Sequence, residues 1–206
     1  KLKPEDFTVR AGAGTDRVRV RVIEIMEGKV GTKNVAVDLP LGPGGTILAS
    51  REHDVAKVAV IERHHATGTM GIGFVKGFGF TAGAVASTVA HDSHNLLIVG
   101  MNDKDMAYAG EVLAQCGGGM VAVRDGAVLA LVELPIAGLQ SDRPVEEVSR
   151  QVEKLARAWK DLGCHLVSPF MTMALLSLPV LPELRLTNRG LVDTLGFKFV
   201  DLVVRA

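Results

Sequence analysis

Apolar and charged side chains alternate through Val18-Arg19-Val20-Arg21-Val22, the period-two signature of a surface strand with one face on a core and the other toward water. Residues 35–37 and 55–61 are richer in buried-type side chains, and the second run reads as a more central strand. Gly42, Pro43, Gly44 and Gly45 mark the intervening stretch as a loop. Residues 84–90 and 96–99 are short apolar runs on either side of a polar break at 91–95, which predicts two buried strands with a turn at the end of a sheet. Asp125-Gly126, between apolar runs at 120–123 and 128–132, supplies the positive backbone angles of a tight hairpin turn. Residues 199–204 read as a closing strand.

The period changes to three and four in two places. Asn102 or Asp103 caps a helix of about three turns whose Met106, Ala109 or Gly110 and Leu113 share a face, ending at Gly117. Pro144 opens a longer one, with Val145, Val148, Val152, Leu155, Trp159 and Leu162 on one face and Glu146, Glu147, Arg150, Lys154 and Arg157 on the wet face. The uncharged stretch 169–181, broken at Pro179 and followed by Pro182, predicts a short helix and then an irregular segment; it either fills the core or docks against another domain. From Gly68 to Gly83 six glycines interleave with Phe74, Phe78 and Phe80, which reads as a close-packed loop. Gly71-Ile72-Gly73 lacks the strand–turn–helix setting of a dinucleotide fingerprint. Together these elements predict one mixed α/β (α+β) domain over residues 1–206, with a mixed, largely antiparallel sheet of roughly seven strands flanked by about four helices.

Composition narrows the partners. The 23 basic and 23 acidic residues balance without a run of like charge, so neither nucleic acid nor a membrane surface is expected to bind. Cys116 and Cys164 lack metal-ligand spacing and read as reduced thiols of a cytoplasmic protein. No run approaches the eighteen or so apolar residues of a membrane span, and the opening residues do not read as a signal peptide. The first residue is Lys1, which leaves open both a further N-terminal tail and a piece of a longer polypeptide.

Candidate chemistry gathers in His91-Asp92-Ser93-His94-Asn95, where two imidazoles, a carboxylate and an amide lie within five residues. The pair His91 and His94 could supply two ligands to a divalent metal with Asp92 as a third or an orienting group; an Asx-type turn satisfying its own backbone is the plainer reading. Arg63-His64-His65 ends a predicted strand and can converge on the same cleft, although adjacent residues of a strand point to opposite faces, so at most one of His64 and His65 faces it. Gly117-Gly118-Gly119 follows a helix rather than preceding one, which favours a terminator over an anion cradle. Ser87, Ser93 and Ser141 lack a nucleophile elbow. Glu183, held after Pro182, is either a proton donor or acceptor in a cleft or a surface carboxylate beside Arg185.

Arg63-His64-His65-Ala66-Thr67-Gly68, Gly83-Ala84-Val85-Ala86-Ser87-Thr88-Val89-Ala90-His91-Asp92-Ser93-His94-Asn95, Gly117-Gly118-Gly119, Leu134-Pro135-Ile136-Ala137-Gly138-Leu139 and Leu178-Pro179-Val180-Leu181-Pro182-Glu183-Leu184, taken in order, resemble the C-terminal domain of bacterial and archaeal adenine deaminases of the amidohydrolase type. The resemblance runs over nearly the whole chain; His65 and Gln140 depart from it. It implies a longer enzyme that converts adenine to hypoxanthine and ammonia, in which a separate amidohydrolase barrel, in cis or in trans, carries manganese or iron and the acid/base residues. A chain of 206 residues has no room for a further barrel of about 250, so the resemblance implies no metal bound here and no activity alone. It implies that His91, Asp92, His94 and Asn95, with Arg63, His64 and Glu183, face the active site, and that the assembly is a homo-oligomer. Two other readings stand beside it: a free-standing binding or oligomerisation module that docks through 169–181, and an independent metallohydrolase built on His91, Asp92 and His94.

Overall fold

The computed structural model describes residues 1–11 and 16–204, and these form twelve strands in two sheets. The large sheet holds β1 (Arg17–Ile25), β2 (Thr32–Gly42), β3 (Thr46–Ile47), β4 (Val55–Ile61), β5 (Met70–Lys76), β6 (Ala84–Ser87), β7 (Leu96–Gly100), β8 (Gly119–Arg124) and β9 (Ala127–Glu133). Its order is β3-β2-β1-β5-β4-β7-β6-β8-β9, antiparallel throughout except for a short parallel contact of β1 with β5. A small antiparallel sheet, β10 (Leu184–Thr187), β11 (Gly190–Asp193) and β12 (Lys198–Val200), lies over one face. The α-helices are α1 (Asp103–Gln115), α2 (Val145–Asp161) and α3 (Pro169–Ala174).

The mixed, mostly antiparallel class is the one the sequence predicts, and the element count is not: there are more strands than roughly seven and, among the described residues, three α-helices rather than four. Strands of three or four residues, such as those of the small sheet, are too short to display a period.

β4 is buried along its whole length because both faces of the sheet are covered. On one face, Met106, Ala109 and Leu113 of α1 pack with Ala59, Ile98 and Val121, and Asn102 caps the helix by accepting from Asp105 N at 2.8 Å. On the other, Leu155, Trp159 and Leu162 near the end of α2, with Leu184, Leu186 and Leu191 of the small sheet, cover Val58, Val60, Val75 and Val99. Each such buried aliphatic side chain contributes about 1.5–3 kcal/mol. Val145 is 74% exposed, so the buried stripe of α2 begins one turn later than its period suggests: the first helical residue lies outside the packed length.

The glycine-rich stretch 68–83 is corrected from a loop to a strand over Met70–Lys76. A Cβ at Gly71 would collide with the backbone carbonyl of Thr187, and one at Gly73 would lie 3.2 Å from Leu191 Cδ2. These glycines exist because the small sheet approaches β5 too closely for side chains, not because the chain turns there. The closing strand is likewise shorter than 199–204; after β12 the chain runs beside β1, where Val203 bridges Val20 and Arg21 N donates to Leu202 O. No helix among the described residues is long and apolar enough to cross a membrane.

Candidate functional site

β6 and β7 are antiparallel neighbours, so the residues between them emerge at the sheet's end, beside the end of β4 that carries Arg63 and His64. The 91–95 loop closes on itself: His94 N donates to Ala90 O at 2.7 Å, and Ala90 N donates to His94 Nδ1 at 3.2 Å. With Nδ1 an acceptor, the proton of neutral His94 resides on Nε2. Arg63 Nε donates to His94 O at 2.6 Å and its Nη2 to Ala137 O at 2.7 Å, pinning the loop to the turn after β9. His64 Nε2 donates to Ser93 O at 2.7 Å. His65 is exposed and its backbone N–H donates to Glu62 Oε1, so of the two adjacent histidines it is His64 whose ring bonds the loop.

On the other side the loop is fastened to the segment that begins with α3. His91 N donates to Ala174 O at 2.9 Å, and Ser177 Oγ donates to His91 O at 3.0 Å. The rings of His91 and His94 meet edge to face with centroids 5.4 Å apart. Asp92 is exposed at the tip, whereas Asn95 is buried and its Oδ1 has no hydrogen-bond partner among the described residues. Burial first, then the neighbouring His91 and Arg63, hold the His94 imidazole below its ordinary range, with Asp92 pulling the other way. At neutral pH His94 is therefore a neutral ring.

This geometry suits a positioned hydrogen-bonding loop better than a metal centre. Nδ1 of His94 is committed to the backbone, and among the described residues no three His, Cys, Asp or Glu side chains converge as ligands. Glu183 is not gathered into the loop: its Oε2 accepts from Asn34 N at 3.0 Å. It does not pair with Arg185 either. Arg185 is 1% exposed and spends its donors on the carbonyls of Leu181, Leu175, Val30 and Pro182, at 2.6–3.1 Å. Gly117 ends α1 with φ of 81° and the run passes into β8, as a terminator does.

Beneath His91 lies a feature that sequence reasoning missed, a cavity of about 220 Å³ walled by Trp159, Phe170, Met120, Met171, Met173 and Val89. Trp159 on the buried stripe of α2 and the uncharged stretch at 169–181 were its only signals, and neither says that the two leave a space between them.

Two comparisons with known proteins bear on the chain as a whole. The chain matches the family model described as adenine deaminase C-terminal domain over residues 29–198. It is 68% identical to an adenine deaminase of Moorella thermoacetica over 202 residues, covering 98% of this chain and 34% of that protein. It is 56% identical to an adenine deaminase of Clostridium botulinum over 204 residues and 51% identical to one of Brucella melitensis over 200, covering 99% and 97% of this chain and 34% of each relative. The chain spans about a third of the length of the curated relatives it matches.

Proposed function

The chain belongs to the adenine deaminase C-terminal domain family, and from that premise we propose that it serves as one accessory domain of an adenine-deaminating hydrolase, shaping or covering an active site carried elsewhere. The whole enzyme replaces the exocyclic amine of adenine by the oxygen of water, giving hypoxanthine and ammonia. The reading assigns that chemistry to an amidohydrolase barrel in the part of the relatives that this chain does not span, joined in cis or in trans, and places the protein in the cytoplasm. A manganese or iron ion belongs to the barrel in this reading. The residues here do not fit one, so no step of this domain runs through a metal.

The observation that carries the proposal is a set of exposed apolar side chains on the segments that Arg185 ties together, one of which fastens the 91–95 loop through Ala174 and Ser177. The segment holding His91 is also the one gripped by Arg185, whose guanidinium ties together the chain at Val30, Leu175 and Leu181-Pro182. On these segments or close to them in sequence are Val30, Met171 and Val180, and Val167, Leu195 and Phe197 are exposed as well, Val167 and Phe197 by more than nine-tenths. Apolar side chains held rigidly in water mark a surface made to be covered. Docked there, the domain presents His91, Asp92, His94 and Asn95, with Arg63 and His64 behind them, to the barrel; Glu183 instead braces β2.

The test is ammonia release from adenine, with manganese or ferrous iron supplied. The 206-residue chain alone is expected to be silent, and mixing it with the separately produced remainder of the Moorella thermoacetica relative is expected to raise that remainder's turnover. Turnover by the chain alone that vanishes in His91→Ala would overturn the reading. The same exposed Met171 and Val180 favour a second one, a module that assembles with itself. It predicts a stable homo-oligomer, seen by sedimentation, whose 169–181 segment is protected from hydrogen exchange, and no response to the barrel.

A further inference from the structure

The walls of the cavity under His91 narrow the ligand it can take. Six of its lining side chains are large and apolar, with Ala86 and Ala174 between them, and no charged side chain borders it. An ionic ligand would lose its hydration there without a partner, so the occupant is uncharged. Trp159 and Phe170 meet edge to face with centroids 5.1 Å apart, and three methionines complete the wall. Ring edges and polarisable thioethers favour a flat aromatic guest over a branched aliphatic one.

Size narrows the choice. An apolar cavity of about 150 Å³ holds one benzene ring, so at the same filling this one takes about nine or ten heavy atoms, a fused five- and six-membered bicycle. Its volume is about 220 Å³.

Polarity narrows it again. Ser87 Oγ is used up locally, donating to Val89 O at 3.2 Å and accepting from Val89 N at 3.0 Å. The His91 imidazole makes no hydrogen bond to protein among the described residues and is half-buried at the cavity wall. One free hydrogen-bonding edge in an otherwise apolar box asks for a heteroaromatic ring with a ring nitrogen or amine on one side.

We propose that this cavity binds an uncharged purine base, stacked among Trp159, Phe170 and the methionines and hydrogen-bonded to His91. The choice of purine among bicyclic heterocycles rests on the deaminase reading; the cavity and its shape do not.

Trp159 is the single tryptophan of the chain, so it reports on the site directly. Titration of the 206-residue chain with adenine and with hypoxanthine should quench its fluorescence saturably. Val89→Phe, which fills the space, should abolish the response, and His91→Ala, which removes the polar contact together with the ring that walls that side, should weaken binding about tenfold or more, at least the worth of one buried hydrogen bond. Circular dichroism confirms that each variant is folded, and saturation-transfer NMR on the purine gives the same reading should Val89→Phe fail to fold. No saturable response, a response that survives in folded Val89→Phe, or binding of benzimidazole but of neither purine would overturn the proposal. Binding is read without turnover, so a silent cavity in a chain that still stimulates the barrel removes this inference alone. A purine-binding chain that never stimulates it removes only the deaminase reading.

Discussion

Lys57 and Arg185 are cations buried on opposite sides of the large sheet, and the protein satisfies them differently. Lys57 is 3% exposed, donates to Phe7 O at 2.8 Å and pairs with the Asp103 carboxylate at the start of α1. Arg185 is 1% exposed and has no carboxylate at all; it holds four backbone carbonyls, and burial pulls its guanidinium down to about 10. On the Lys57 side the apolar stripe of α1 already fixes the helix, and the ion pair adds one tie. On the Arg185 side the segments at 30 and 181–182 lie outside the strands and helices and Leu175 opens only a single 3-10 turn, and a five-donor fork adds a partner to the carbonyls of all three. One cation decorates a cover that packing determines, and the other assembles one.

If that contrast is right, Arg185→Met has the largest effect on stability. The apolar stem remains while four charge-assisted hydrogen bonds are lost; the carbonyls of Leu175, Leu181 and Pro182 keep Leu178 N, Thr194 Oγ and Thr32 N as donors and that of Val30 is left without one among the described residues, and the expected loss is about 3–5 kcal/mol. Arg185→Lys should recover only a minor part of it, because three donors on one nitrogen cannot reach carbonyls placed around a fork. A shift of the urea midpoint worth less than about 1 kcal/mol would mean that the loops relax freely, and would erase the distinction.

Gly71→Ala probes the same side by another route. Its Cβ would meet the Thr187 carbonyl, which is backbone and cannot rotate away, so the small sheet must shift off β5 at an expected cost of about 2–3 kcal/mol. Urea unfolding again measures it, and a neutral substitution would show that the two sheets pack less closely than the register implies.

The same contrast explains what was legible in the sequence. Met106, Ala109 and Leu113, the Asn102 cap and the Asp125-Gly126 turn act through local spacing and backbone angle, and all were readable. The 91–95 loop was also legible as a turn at a sheet end, with Arg63 and His64 beside it, since antiparallel neighbours bring those ends together. Arg185 was not, because its function depends on four carbonyls from three segments, the farthest 155 positions away, and carbonyls are the same at every residue. Gly71 misled for a related reason: a glycine kept free of a side chain by a distant strand looks in sequence like a glycine kept for a turn. Glu183 beside Arg185 invited an ion pair, but Glu183 lies just before β10 and its carboxylate accepts from Asn34 N, while Arg185 spends its donors on backbone carbonyls.

On the α1 side, Lys57→Met should cost less than either change, about 1–2 kcal/mol. It strands one buried carbonyl, that of Phe7, while the Asp103 side chain is 23% exposed and can turn to water. Hydrogen exchange of residues 4–7 gives the sharper reading: protection should fall there and persist in α1. Equal losses in Lys57→Met and Arg185→Met would collapse the two cations into one role.

Glu62 is the mirror image of Arg185, a single side chain that gathers backbone groups, here donors, but in water. Its carboxylate accepts from the N–H of His64, His65 and Thr67 and from the Thr67 hydroxyl, and so shapes the turn that aims His64 at Ser93 O. These bonds, that of Thr67 N–H foremost, hold its carboxyl at about 2 against an ordinary 4.5. A carboxyl whose folded value is depressed stabilises the turn fully above its unfolded value and loses that contribution as pH falls, so the window runs from 4.5 down to about 2. Exposure makes the effect local: the amide resonances of His64, His65 and Thr67 should move with a midpoint near 2, and those of β4 should not follow them. Glu62→Gln should remove that titration. A midpoint at 4.5 would mean the carboxylate gains nothing from its three N–H donors, and that the turn, unlike the Arg185 assembly, holds its shape without the side chain at its centre.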